Sequence, residues 1–171
     1  MSTQLLLANF GTPTVFAATG SGDIVWTPQN EALARGRLSA LWDRGTGDLP
    51  IRYRWSASCR WVATPAANDR WSLWLVTADA SADSTKTDGV FTLGDAELTS
   101  ESELLANCSM FGTILATASD KLFVGSGVVD LFSRYLAIAG WNGSATKALT
   151  NTATDFRVTF TPVVSSLQPP A

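Results

Sequence analysis

The chain has 171 residues, of which 46% are hydrophobic and only 16% charged, and it contains no histidine. That length suits one domain with its own core; the missing imidazole excludes His-based triads, Zn–His sites and histidine proton shuttles. A net charge of −3 disfavours wholesale nucleic-acid binding, and the balance leans away from an enzyme.

Residues 1–22 are uncharged and rich in Thr, Ala and Gly, with apolar anchors at Leu5, Leu6, Leu7, Phe10, Val15 and Phe16 but no sustained period. They read as an extended N-terminal arm. The run Leu5-Leu6-Leu7-Ala8, with no Lys or Arg before it, is too short for a signal peptide. No segment approaches the ~20 apolar residues of a bilayer span, so a product without a membrane partner, made and kept soluble in a cytoplasm, is expected. Residues 23–164 read as the folded body, with strands expected near 24–27 and 36–42 and a helical turn at Pro28–Ala34.

From Ile51 to Ala63 the odd positions Ile51, Tyr53, Trp55, Ala57, Cys59, Trp61 and Ala63 oppose the even positions Arg52, Arg54, Ser56, Ser58, Arg60 and Val62. In a strand these sets face opposite sides, one aromatic and one carrying three arginines. Trp71, Leu73 and Leu75 form one face of the next strand, while Trp74 and Val76 break the polarity of the other. A helical turn is predicted at Thr99–Leu105, then strands near 106–117, 122–131 and 134–141. Asn142-Gly143 signals a tight turn. Phe156, Val158, Phe160 and Val164 alternate with Arg157, Thr159 and Thr161 in a last strand, and residues 165–171 read as an extended tail closed by two prolines. About eight short strands at this spacing predict an all-β antiparallel sandwich or barrel. Cys59 and Cys108 sit in unrelated contexts and are expected as free thiols.

Few of these residues suggest chemistry. Asp79–Gly89 lacks the ligand spacing of a calcium loop, and Asp95 with Glu97 has no predicted opposing carboxylate. Gly125-Ser126-Gly127 precedes a strand and is no phosphate loop, and no serine sits in a nucleophile elbow. No catalytic residue, metal or cofactor is expected. Among the seven tryptophans, Trp55, Trp61 and Trp71 lie on the inward parity, whereas Trp42, Trp74 and Trp141 are candidates for a partner surface or for stacking on sugar rings. Residues 35–70 hold seven arginines against three aspartates, and residues 79–103 hold seven acids against one lysine. This segregation reads either as a solvated face or as head-to-tail complementarity between copies.

The ordered motifs Ala34-Arg35-Gly36-Arg37-Leu38-Ser39-Ala40-Leu41-Trp42-Asp43-Arg44-Gly45, the Arg/Trp strand 51–62, Trp71–Asp79 leading to Thr87-Asp88-Gly89, Phe132-Ser133-Arg134-Tyr135-Leu136, Trp141-Asn142-Gly143-Ser144 and the Thr-rich final strand form a recognisable set. Over residues 33–164 the chain resembles the small jelly-roll cement or decoration proteins of tailed bacteriophage heads. The resemblance implies a β jelly roll on the capsid surface of the virion that forms a homotrimer, or sits around local three-fold positions. There it would clamp neighbouring subunits of the major capsid protein without catalysing a reaction. Leu5, Leu6, Leu7, Phe10, Val15, Phe16 and Trp74 are the expected contacts, with Arg52, Arg54 and Arg60 as polar ones. A carbohydrate-binding sandwich using Trp42, Trp74 and Trp141, or a tail-associated virion protein, is the alternative.

Overall fold

The computed structural model describes residues 6–18, 20, 22–29, 31–78, 94–117 and 122–167. They form an all-β sandwich of two sheets, built mostly from antiparallel pairs. In the first sheet, β10 (Phe123–Asp130), β6 (Arg52–Cys59), β12 (Arg157–Leu167), β2 (Thr14–Ala17) and β3 (Ile24–Val25) lie side by side, with β1 (Leu6–Phe10) also on β12. In the second, the order is β8 (Ala96–Leu98), β4 (Arg35–Leu38), β11 (Tyr135–Asn142), β7 (Arg70–Ala78) and β9 (Ser109–Leu115), with β5 (Trp42–Asp43) on β11. One helix, α1 (Glu101–Asn107), falls two residues beyond its predicted start.

The alternation in β6 is realised: Tyr53, Trp55, Ala57 and Cys59 are buried between the sheets and Arg52, Arg54 and Ser56 are exposed. Beside them Val158 and Phe160 of β12, and facing them Trp71, Leu73 and Leu75 of β7 and Leu136 and Ile138 of β11, complete the core. Trp55 is seated on three glycines. A Cβ at Gly112 or Gly127 would come within 2.6 or 2.7 Å of its indole, and one at Gly125 within 3.5 Å. Gly125 and Gly127 thus lie within β10, where the missing side chains make room for the ring. Neither Cys59 nor Cys108 is in a disulfide, and burial raises the Cys59 thiol well above its ordinary value.

Three segments depart from expectation. The N-terminal segment is not a free arm where it is described: β1 and β2 both pair with β12 of the same chain. Phe10 opposes Val163 and Thr14 opposes Phe160, so the N-terminal side holds one extra residue, a bulge at Gly11–Pro13. The tail likewise continues as strand through Leu167, and residues 168–171 lie outside the described residues. The expected turn of helix at 28–34 is irregular, with Ala34 at φ 51°. Its carbonyls serve the core instead: Glu31 O accepts from Leu149 N at 3.0 Å, and Ala32 O from the Asn142 side-chain amide at 3.1 Å.

Candidate protein-docking face

The outer faces of the two sheets are finished differently. On the second sheet, Trp74 and Val76 of β7 and Ala137, Ala139 and Trp141 of β11 face away from the main core. They form a second apolar cluster with Leu38, Leu98 and Leu104 of α1. Trp74 is therefore 5% exposed and is no surface contact, which corrects its predicted role. Strands that are apolar on both faces need a cover, and α1 supplies it through Leu104. Trp141 is buried in the same cluster, and Trp42 lies within 6.0 Å of Phe16, Tyr53 and Phe160, so none of the three offers a sugar-stacking platform.

The charge segregation along the chain is answered mostly within the chain. Arg35 pairs with Glu97 at 3.4 Å, Arg37 with Asp95 at 3.0 Å and with Glu31 at 3.7 Å, and Arg70 with Glu101 at 3.3 Å. The arginine-rich and acidic stretches meet at the edge of the second sheet, so for these residues complementarity between copies is not needed. Burial pushes Asp95 up, but hydrogen bonds from Arg37 and Thr27 outweigh it and hold the carboxyl below its ordinary value. Glu31 goes the other way. It is buried, its guanidinium partner is already engaged by Asp95, and desolvation raises it to about 7 against the lowering pull of Arg37, with Glu97 and Asp95 adding to the rise. At one end of the sandwich, Arg44 is spent on backbone carbonyls of Pro50, Leu131 and Ser133, and Arg134 closes a two-bond pair with Asp43 at 2.8 and 2.9 Å. That pair and the Gly45 amide hold Asp43 at about 2.

The first sheet has no such cover among the described residues. Its outer face is a lattice read directly from the register. Across β10, β6 and β12 run the rows Val128–Arg54–Thr161, Ser126–Ser56–Thr159 and Val124–Ser58–Arg157, preceded by the pair Asp130–Arg52. Val15, half-buried on β2, extends the middle row opposite Thr159. Val124, Val128 and Phe10 are 74%, 63% and 60% exposed on a surface otherwise made of hydroxyls and arginines. Two adjoining grooves of about 360 and 240 Å³ share Ser56. The larger is lined by Ser58, Val124, Ser126, Arg157 and Thr159, the smaller by Phe10, Arg54 and Thr161.

Of the residues predicted to make contacts, the structure brings Phe10, Val15, Arg52 and Arg54 onto this face. Arg52 is held by Asp130 at 3.0 and 3.3 Å. Arg60 follows β6 and is half-buried. Phe16 is fully buried against Trp42 and Phe160, a core residue and not a contact. Leu6 and Leu7 belong to β1, whereas Leu5 and the acidic stretch 79–89 lie outside the described residues. Arg157, Val124 and Val128 were missed, although their alternation with Val158, Phe123 and Val129 is visible in the sequence. Among the described residues no cluster of three or more Cys, Asp or Glu could hold a metal, and no helix is long and apolar enough to cross a membrane. No protein-family model matches this chain, and no curated protein matches it either.

Proposed function

We propose that this chain is a non-enzymatic decoration protein of a bacteriophage head. In this reading it is a jelly roll that associates as a homotrimer and docks on the major capsid protein through the outer face of its first sheet. Two observations support the fold assignment. With β1 and β2 taken as one interrupted strand, eight strands carry the sandwich. In chain order they fall on the sheets as β2, then β4, β6, β7, β9, β10, β11 and β12, giving β10-β6-β12-β2 opposite β4-β11-β7-β9. Two interlocked Greek keys produce that order.

The functional reading is carried by the asymmetry of the two outer faces. Among the described residues, the sandwich covers one apolar face with its own helix and leaves the outer face of the other sheet open to a partner. That surface mixes exposed Val and Phe with arginine and hydroxyl groups, the composition of a polar, reversible interface. Many copies, each burying a modest area, would raise the stability of the assembled shell by multivalency.

Cosedimentation of the purified protein with empty, expanded capsids that lack it tests the proposal. Saturable binding at a fixed ratio to the major capsid protein is expected. Protein that stays in the supernatant at every ratio overturns it.

A further inference from the structure

The geometry points to a specific occupant for the groove on the first sheet: an extended acidic segment of the partner, with two carboxylates four residues apart. On this face Arg52 is neutralised by Asp130. Among the described residues, Arg54 and Arg157 meet no carboxylate, whereas the other strand arginines, Arg35, Arg37, Arg52 and Arg70, each do. The two sit at opposite ends of the paired grooves, on neighbouring strands. Arg157 opposes Ser58, four residues along β6 from Arg54. Strand rise and spacing therefore place their Cα atoms roughly 14 Å apart.

Between them the floor is Ser56, Ser58, Ser126 and Thr159, small side chains that donate and accept hydrogen bonds without filling the space. An extended chain laid along β6 repeats every second residue at nearly 7 Å, so carboxylates four apart span about 13 Å and meet both guanidiniums. The intervening residues face hydroxyls. Guanidinium forks favour carboxylates as bidentate partners, and a basic groove on a chain of net charge −3 selects against generally cationic surfaces. The identity of the partner rests on the decoration reading; the chemistry of the segment does not.

A fluorescein-labelled peptide Gly-Glu-Ser-Thr-Ser-Glu-Gly, its Gln-for-Glu control, an oligothymidylate and heparin are titrated with the full chain by fluorescence anisotropy or competition. The acidic peptide is expected to bind, to weaken with added salt, and to outcompete its Gln control. Arg54→Gln and Arg157→Gln should each weaken it roughly 3- to 5-fold, as exposed ion pairs do, while Lys147→Gln leaves it unchanged. Thermal melts matching the parent chain show that both variants fold. Equal binding of the two peptides, equal binding by the variants, or preference for oligothymidylate or heparin overturns the inference. Capsid cosedimentation of the same proteins separates the two claims. A double variant that binds capsids as well as the parent sinks the acidic-segment inference alone. A parent chain that ignores capsids but binds the peptide through Arg54 and Arg157 sinks the capsid reading alone.

Discussion

Trp55 fits between the sheets because two positions against its ring carry no side chain. Gly112 of β9 and Gly127 of β10 let two strands approach an indole that a Cβ at either position would strike, while a Cβ at Gly125 would instead press on Ile114 at 2.9 Å. We predict that Gly127→Ala destabilises the chain by about 1–3 kcal/mol through overpacking, read from the urea midpoint at unchanged slope. Glu31 is the other residue with an outsized role. Its folded pKa of about 7 lies above the ordinary value of 4.5. The folded chain therefore holds that proton more tightly than the unfolded chain. The contribution of Glu31 to stability is fully present below about pH 4.5 and is lost as pH rises through 7. Glu31→Gln, which cannot ionise, should stabilise the chain by about 1–3 kcal/mol at pH 8, an advantage that fades towards pH 4.5 in thermal melts across that range. Asp43 and Asp95 act with the opposite sign, because their depressed pKa values make folding weaken as acid protonates them. Neither the glycine seat nor the buried Glu31 was legible in the sequence. Gly125-Ser126-Gly127 shows a flexible stretch but not the ring above it, and Glu31 sits in a loop whose burial depends on Asn142 and Leu149, more than a hundred residues away.

At the scale of elements, period-2 patterning placed β6, β7 and β12 and the inward faces of β6 and β12, because a strand buried on one side writes its face into alternate residues. It could not tell what covers Trp74 and Val76, since an apolar residue on the second face reads equally as interface or as core under a helix. The N-terminal segment was misread for a related reason. Lacking charge and period, it looked unable to fold alone, whereas pairing with β12 of its own chain supplies both its hydrogen bonds and a place for Phe16. Deleting residues 1–10 should leave a cooperatively folded protein. Deleting residues 1–22 removes Phe16 and the β2 edge, and should lower the melting temperature by about 10 °C or more. Two melts of equal midpoint would contradict this placement. Loss of particle binding on the longer deletion would then report unfolding, so the shorter deletion is the proper test of a contact role for Leu6, Leu7 and Phe10.

For the whole molecule, the organising fact is that, among the described residues, one sheet is finished by α1 while the other presents a grooved lattice of arginine, hydroxyl and isolated apolar groups. Charge segregation along the chain, which suggested attraction between copies, is largely used up in joining β4, β7, β8 and α1. Among the described residues, the strand arginines that meet no carboxylate, Arg54 and Arg157, lie on the outer face of the first sheet. Hydroxyl-radical footprinting of the protein free and bound to empty expanded capsids tests this arrangement most directly. The account predicts that oxidation of Phe10, Val124 and Val128 falls on the particle while exposed Leu105 on α1 keeps its reactivity. Protection of Leu105 with Val124 and Val128 unchanged, or no protection anywhere, would contradict it.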